Sequence, residues 1–350
     1  MLSVETQGSL EGLNAEWDEL AVRTEAAPCL HPGWIAAWWR AFGQGRLTVL
    51  AARDGGELVG VLPLARRAGG LASPTNWHTP FFGPVCASSE AAGALADALV
   101  RTAGPHFRLR FLSLDDPLLG PLAFATSRAG WAVATREIQH SPYVPIEGSW
   151  DEFRRGLSKD RRRSISRRER RLRELGEVTV TIEDGTERLD KLLSEGFALE
   201  ASGWKGEQGT AILSKPETRA FYTDLCRWAA ARQMLRLVFV RLDGRPIAFN
   251  LCLEDGRALY ALKPGHSEEM TRYGPGALLI YRTIERAFEL GLSSFELLGG
   301  QDDFKRSFAG DNCHARVEMQ AFARSARGRA ARLVQVRVRA AARRVLARSE

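Results

Sequence analysis

The chain has 350 residues, more than one average domain, and 45% of them are apolar, as in a globular protein with real cores. No run approaches the roughly 18 consecutive apolar residues of a membrane span, and the N-terminus lacks the apolar core of a signal peptide. Five widely spaced cysteines without a C-x-x-C pair, and six histidines without ligand spacing, predict reduced thiols and no metal. We therefore expect a cytoplasmic protein.

Positive charge is concentrated in two short segments. The net charge is +7, yet residues 154–173 contain eleven Lys or Arg against two acids, and residues 321–350 contain nine Arg against one acid. The remainder of the chain is therefore acidic. This distribution predicts two local contacts with polyanions rather than a surface that is basic throughout.

The first 148 residues predict a mixture of helices and strands. Apolar side chains at steps of three and four residues predict a helix over 5–25, and an aromatic run predicts another over 34–42. Two β-rich runs over 47–65 flank an Asp-Gly-Gly turn and predict a hairpin. We interpret 1–148 as a first domain.

An arginine-rich segment, 149–176, comes next. Ser149 is a suitable N-cap and Gly176 a suitable stop, so the pattern predicts one continuous helix. Three interpretations stay open: a solvated face, a grip on the phosphates of an anionic substrate, or a stripe for nucleic acid. Arg163 and Arg167 are the candidates for substrate binding.

The most informative pattern lies in residues 235–322. Two Asp-Gly pairs separate three β-rich runs, which predicts an antiparallel meander. Gly274-Pro275-Gly276 then opens an amphipathic helix over Ala277–Leu290, Gly291 ends it, and a short strand follows. The unpaired N–H groups and the dipole of such a helix start favour an anion, which suits a phosphate-bearing cofactor.

This order resembles the second half of a GNAT-type acyltransferase domain. More narrowly, it is similar to the branch related to the FemABX aminoacyl transferases and the CelD (BcsL) proteins of bacterial polysaccharide loci. Four motifs carry the resemblance: Leu-Asp-Gly-Arg-Pro-Ile-Ala at 242–248, Pro275-Gly276, Gly291, and Asp303-Phe304-Lys305. The likeness covers about 150–322 well and the first 150 residues loosely.

The resemblance implies an α/β (α+β) fold of tandem GNAT-like domains, each a mixed, mostly antiparallel central sheet flanked by helices. The expected boundaries are 1–148 for the N-terminal domain, 149–176 for the basic helix, 177–323 for the C-terminal acyltransferase domain, and 324–350 for a basic tail.

The resemblance also implies a donor site at the glycine loop. The matching cofactor-binding positions are Arg272, Tyr273, Gly274, Pro275, Gly276 and Ala277. The usual acyl-CoA loop has Gln or Arg three residues before its first glycine. This chain has Thr271 there, with Arg272 one place later.

Lys305 matches a functional lysine of FemABX-like proteins, where it could neutralise a phosphate or an oxyanion. Acyl transfer also needs a group that collects or returns a proton, and the sequence does not rank the candidates. They are Glu200, Asp303, Tyr281 and Tyr260. Trp204 and Tyr260 are also candidates for acceptor binding. On the premise that no cysteine has a nearby histidine or a motif around it, a covalent cysteine mechanism is not expected.

These features predict a GNAT-type N-acyltransferase. It would move an acyl group from acetyl-CoA or another acyl-CoA, without a metal, to an amine or hydroxyl of a sugar-containing or cell-envelope precursor. The acceptor would be a small-molecule or lipid-linked anion. Two alternatives stay open: an aminoacyl-tRNA donor, or a non-catalytic accessory role in polysaccharide (cellulose) synthesis. The tail 324–350 predicts either a helix on an anionic membrane, at its inner face, or a disordered basic end.

Overall fold

A computed structural model describes residues 2–202 and 204–334. The described chain falls into two compact units. The first unit comprises residues up to 39, residues 43–138 and residues from 315 on. The second comprises residues 40–42 and 139–314.

The strands are, in chain order, β1 (Leu2–Gln7), β2 (Arg46–Asp54), β3 (Glu57–Arg67), β4 (Gly70–Ala72), β5 (Val85–Cys86), β6 (His106–Ser113), β7 (Ala132–Pro145), β8 (Val178–Glu183), β9 (Leu235–Leu242), β10 (Arg245–Glu254), β11 (Ala258–His266), β12 (Ser294–Glu296) and β13 (Cys313–Phe322). The helices are α1 (Asn14–Arg23), α2 (Pro32–Phe42), α3 (Ser89–Thr102), α4 (Leu119–Arg128), α5 (Trp150–Gly156), α6 (Lys159–Arg173), α7 (Leu189–Ala201), α8 (Trp204–Glu207), α9 (Pro216–Ala231), α10 (Pro275–Glu289) and α11 (Asp303–Ala309).

The first unit contains a sheet in the order β1-β2-β3-β4-β6-β13, with β5 beside β3. Its pairs are antiparallel except β4 with β6. Alternate side chains of β6, such as Phe107 and Leu109, join Leu95 and Leu99 of α3 in a core. The predicted helix over 5–25 is wrong at its start, because residues 2–7 pair with β2 as a strand. Pairing with a distant strand overrode the local helical pattern.

The second unit contains a sheet in the order β7-β12-β11-β10-β9-β8, in which only β11 and β12 run parallel. The predicted meander is confirmed. Asp243 and Gly244 both have positive φ, as a tight two-residue hairpin turn needs. Helix α10 buries Leu278, Leu279 and Ile284 on one face of this sheet.

The arginine-rich segment forms two helices, so the prediction of one continuous helix is wrong. Ser149 caps α5 as expected, with Glu152 completing a capping box. The chain then takes an extended step at Leu157, and the Ser158 hydroxyl accepts from the Arg161 N–H (3.1 Å) to start α6. Ile165 and Leu172 anchor α6 in the core.

Both units are mixed, mostly antiparallel sheets flanked by helices, which confirms the predicted fold class. Strand β13 lies within the predicted segment 177–323, yet from Ala315 on it belongs to the first unit, where it pairs with β6. The predicted boundaries themselves stay a prediction. In the described residues, no helix has both the length and the apolar content needed to cross a membrane. Residues 326–334 of the predicted tail are helical, and 335–350 lie outside the described residues.

Candidate active site at the start of helix α10

Gly274 starts helix α10 in a conformation that suits a glycine. Its φ of 64° and ψ of 49° are left-handed, and it is the N-cap residue. Pro275 follows at the first helical position, where its missing N–H costs no hydrogen bond. No side chain of the described residues caps this helix start. A helix start of this kind favours an anion, although the Ala277 N–H already donates to Gly274 O (3.2 Å). Cofactor binding at the glycine loop stays a prediction.

Strands β11 and β12 separate beside this helix start. They pair only over Ala258–Tyr260 and Ser294–Glu296, although β11 continues to His266. Beyond Tyr260, the edge of β11 that faces β12 therefore diverges from that strand. An extended ligand with amide groups can bind such an edge.

The guanidinium of Arg168 lies directly against Gly274. A Cβ atom added to Gly274 would collide with Arg168 Nη1. Arg168 Nε donates to Ser164 Oγ (3.2 Å), and within the described chain no acidic side chain pairs with Arg168. Because a helix start already carries partial positive charge, a cation here is unfavourable until an anion joins it.

Three further arginines lie near this point. The guanidinium carbons of Arg171 and Arg272 lie 5.2 Å and 4.8 Å from the Tyr273 ring centroid. Burial lowers the pKa of Arg161, and the like charge of Arg168 lowers it further. We call Arg161, Arg168, Arg171 and Arg272 the donor-loop arginines.

Glu169 joins α6 to α10. Its carboxylate accepts from Arg282 of α10 (2.6 Å) and from Arg173 (3.0 Å). Burial alone would raise the pKa of Glu169, but these two arginines outweigh it and hold the pKa below its usual value. The pairing keeps one face of α6 toward α10.

The predicted substrate arginines lie elsewhere on α6. Arg163 and Arg167 are exposed, whereas Arg161 and Arg168 are half-buried. The heptad that separates Arg161 from Arg168 also separates Ile165 from Leu172. That spacing, in the sequence itself, could have identified the inward face.

Lys305 stabilises the turn after β12. Its Nζ donates to Leu298 O (2.7 Å) and to Gly300 O (2.9 Å). The Asp302 side chain accepts from the Lys305 N–H (2.8 Å) and starts the short helix α11, which contains the Asp303-Phe304-Lys305 motif. Asp303 is exposed on this helix.

Glu200 is buried on α7 against the C-terminal end of β11, beyond the pairing of β11 with β12. Its Oε2 accepts from the Ile212 N–H (2.7 Å), and its Oε1 is 3.8 Å from Lys263 Nζ of β11. Gly265 of β11 packs against the Glu200 backbone. Glu200 is thus the one predicted acid or base that lies against this edge.

The other candidates lie apart from the helix start. Tyr260 sits where β11 still pairs with β12, and its hydroxyl donates to Asp255 (2.8 Å). Tyr281 lies within α10, packed 4.8 Å from Trp150, and burial raises its pKa. Trp204 begins α8.

Sequence reasoning missed two histidines. His266 Nε2 lies 3.3 Å from Thr271 Oγ1, beside the glycine loop. The premise that no cysteine has a nearby histidine is wrong, because His140 Nδ1 lies 3.7 Å from Cys313 Sγ. The sequence itself places His314 next to Cys313, whereas the approach of His140, 173 residues away, leaves no sequence signal. In the described residues, no group of three His, Cys, Asp or Glu could hold a metal ion.

Comparison with known proteins finds a matching family model for part of the chain. Residues 159–306 match the family model described as an acetyltransferase (GNAT) domain. No curated protein shows significant similarity to the chain.

Three solved structures are similar over nearly the whole chain. FemX superposes with a TM-score of 0.60 at 13% identity, covering 90% of this chain and 96% of FemX. The C-terminal domain (DUF2156) of a protein assigned as a lysylphosphatidylglycerol synthetase from Agrobacterium fabrum superposes with a TM-score of 0.56 at 14% identity, covering 93% of this chain and 96% of that domain. A conserved protein of unknown function from Bacteroides thetaiotaomicron gives 0.60 at 12% identity, covering 91% and 100%.

At these identities the similarity establishes the fold. The chain therefore shares the fold of these structures, and its residues 159–306 match the acetyltransferase (GNAT) domain family.

Proposed function

We propose that the second unit transfers an acyl group from acyl-CoA to an amine or hydroxyl acceptor. The observation that carries this proposal is the Arg168 guanidinium against Gly274 at the start of α10. A diphosphate placed there would accept hydrogen bonds from the first N–H groups of the helix and from the guanidinium. It would also offset the repulsion among the donor-loop arginines.

In this proposal, Arg168 replaces the Gln or Arg that the usual acyl-CoA loop has at the position of Thr271. The loop lacks Gln or Arg three residues before Gly274, and a cation from α6 stands at the loop instead. The edge of β11 beyond its pairing with β12 would hold the amide-bearing arm of the donor, which leads from the diphosphate toward the reacting thioester.

The reaction in this proposal is direct transfer. The acceptor nitrogen or oxygen attacks the thioester carbonyl, the carbon–sulfur bond breaks, and CoA leaves as a thiol after taking up a proton. Positioning of the two substrates supplies much of the rate. Glu200 is the candidate to collect the acceptor proton, and Lys305 orders the turn that follows β12.

For the acceptor we propose a sugar-containing or cell-envelope precursor, small or lipid-linked and anionic. The resemblance to the CelD branch supports this choice. The tail supports work at an anionic membrane surface, since residues 326–334 are helical and Leu333 and Val334 are exposed.

An aminoacyl-tRNA donor is the second candidate, and one observation favours it. Arg163 and Arg167 are exposed on α6, and the described residues give neither an acidic partner. Two unneutralised arginines on one helix suit a nucleic-acid backbone. A non-catalytic accessory role is the third candidate.

Calorimetry with acyl-CoA and a filter-binding assay with charged tRNA together distinguish the three candidate functions. We expect heat from acetyl-CoA or a longer acyl-CoA, and no retention of charged tRNA in a filter-binding assay at physiological salt. Retention of tRNA that is lost in an Arg163→Ala/Arg167→Ala variant, without heat from any acyl-CoA at millimolar ligand, would favour the tRNA donor. Absence of both signals would favour the accessory role.

A further inference from the structure

The first unit contains a cluster of arginines around one buried carboxylate. Glu318 of β13 has no exposed side-chain surface. Its Oε2 accepts from Arg108 Nη2 (2.6 Å) and lies 3.2 Å from Arg110 Nε, and its Oε1 accepts from Arg136 Nε (3.1 Å). Gln320 Nε2 donates to Oε1 as well (2.8 Å). We call Arg108, Arg110 and Arg136 the β6–β7 arginines.

The sheet register places these groups on one face. Glu318 pairs with Arg110, and Gln320 pairs with Arg108. The opposite face of the same strands, with Phe107, Leu109 and Met319, packs into the apolar core. The polar face is therefore a built arrangement, set by strand alternation.

Charge in this cluster is not balanced. Three guanidiniums face one carboxylate, so positive charge is in excess by two. Burial lowers the pKa of Arg110, and the neighbouring charge of Arg108 lowers it further, whereas the arginines keep the pKa of Glu318 below its usual value despite its burial. The carboxylate stays ionised, and the like charges of the arginines still repel each other.

Several guanidinium N–H groups of the β6–β7 arginines are available to a ligand. Arg108 Nη1 and both Nη atoms of Arg110 and of Arg136 have no hydrogen-bond partner in the described residues. The three side chains remain 33%, 37% and 51% exposed. Gln320 is 1% exposed, and its Oε1 has no partner within the described chain. Donors that are half accessible, over a carboxylate that fixes their positions, suit a ligand with several anionic oxygens.

We propose that the β6–β7 arginines bind a phosphate dianion, the phosphomonoester of a substrate or a lipid. Two negative charges match the excess, and tetrahedral oxygens match guanidinium forks that converge from neighbouring strands. Glu318 is the positioning residue that holds the forks together. The site lies in the first unit and does not depend on the donor chemistry of the second.

The test is calorimetric titration of the full chain with inorganic phosphate at constant ionic strength. Wild type should bind, and Arg136→Gln should weaken binding about tenfold, because one charge-assisted contact is lost. Arg136 is the most exposed of the three and makes one contact with Glu318, so this variant should fold. Arg128→Gln is the matched control, since Arg128 pairs with Asp97 on exposed surface (2.7 Å).

A second variant probes the carboxylate. Glu318→Gln keeps one acceptor oxygen that can position the guanidiniums but removes the charge that competes with a ligand for them, so phosphate should bind more tightly than to wild type. If Glu318→Gln fails to fold, the comparison of phosphate binding by wild type and Arg136→Gln still tests the proposal. No binding by wild type at millimolar phosphate, or equal binding by wild type and Arg136→Gln, would overturn the proposal.

Two further ligands identify the source of the phosphate. Glucose 1-phosphate tests a soluble ester, and phosphatidic acid in phosphatidylcholine vesicles tests a lipid headgroup. Binding that depends on Arg136 in one arm supports the proposal and assigns the source. Binding that is equal in wild type and Arg136→Gln in both arms contradicts it.

Discussion

At the scale of single residues, Lys305 shows how structure refines a role inferred from a motif. The motif implied a direct contact with donor or oxyanion, and the structure places Nζ on the carbonyls of Leu298 and Gly300. These contacts order the turn that follows β12, so Lys305 can act on catalysis by positioning that turn.

Substitution of Lys305 tests this role. Lys305→Met should reduce turnover at least tenfold and destabilise the fold by about 1–2 kcal/mol, since two charge-assisted hydrogen bonds are lost. Lys305→Arg should recover part of both. Steady-state kinetics measures kcat, and urea unfolding measures the free energy of unfolding of each variant. Turnover near wild type in Lys305→Met would show that Lys305 has only a structural role in the turn.

Asp116 of the first unit predicts a pH dependence of stability. Burial raises its pKa to about 7, although its carboxylate accepts from the Leu118 N–H (2.9 Å). A carboxyl whose pKa is raised on folding favours the folded state at low pH. That contribution is lost as pH rises from about 4, the unfolded value, to about 7.

Asp116→Asn should therefore match wild type at pH 4 and exceed it by about 1–3 kcal/mol at pH 8, because Asn keeps the acceptor without the charge. Chemical unfolding at both values measures the difference. The control is Asp311→Asn, at an exposed carboxyl, for which the difference from wild type should be small at both values. If the free energy of unfolding of Asp116→Asn differs from that of wild type by the same amount at pH 4 and at pH 8, the pKa of Asp116 is not raised on folding.

At the scale of elements, α6 matters because it presents Arg168 to α10, and Glu169 holds it there. The pKa of Glu169 is held low, so its stabilisation is present above about pH 4 and is lost as pH falls. At neutral pH, Glu169→Gln should destabilise by about 1–2 kcal/mol and weaken acetyl-CoA binding severalfold.

Glu174→Gln is the matched control for Glu169→Gln. Glu174 pairs with Arg170 on the same helix at 3.5 Å, where both side chains are largely exposed. Such a pair contributes little, so stability and affinity should stay near wild type. Thermal unfolding and calorimetry compare the two variants, and equal effects would show that Glu169 has no special role in placing α6.

The elements differ in how far the sequence could predict them. The meander β9–β11 and the start of α10 were predictable, because Asp-Gly turns and a Gly-Pro-Gly start are local signals. Strand β1 was not, since its structure depends on pairing with β2, forty residues away along the chain or more. The approach of Arg168 to Gly274 depends on how α6 packs against α10, which no local pattern encodes.

At the scale of the whole molecule, the two basic segments have separate roles in this account. Helix α6 presents Arg168 to the glycine loop, and we propose that the tail 324–350 contacts an anionic membrane. Strand β13 ends at Phe322 and Ala323 N donates to Pro105 O, so the described sheet is complete before the tail begins.

Removal of residues 324–350 should therefore leave the fold and acetyl-CoA affinity intact. The same truncation should abolish co-sedimentation with vesicles that contain phosphatidylglycerol, because the excess of arginine is lost. Neutral phosphatidylcholine vesicles are the control. Equal co-sedimentation by both forms would remove the tail from the membrane proposal.

The central claim is that Arg168 and the start of α10 hold the diphosphate of an acyl-CoA donor. The direct test is the affinity of wild type, Arg168→Ala and Arg167→Ala for acetyl-CoA and for S-acetylpantetheine, which lacks the phosphates. Arg168→Ala should weaken acetyl-CoA about tenfold and leave S-acetylpantetheine unchanged, while the outward-facing Arg167→Ala changes neither. Equal acetyl-CoA affinity in the Arg168→Ala and Arg167→Ala variants would contradict the claim.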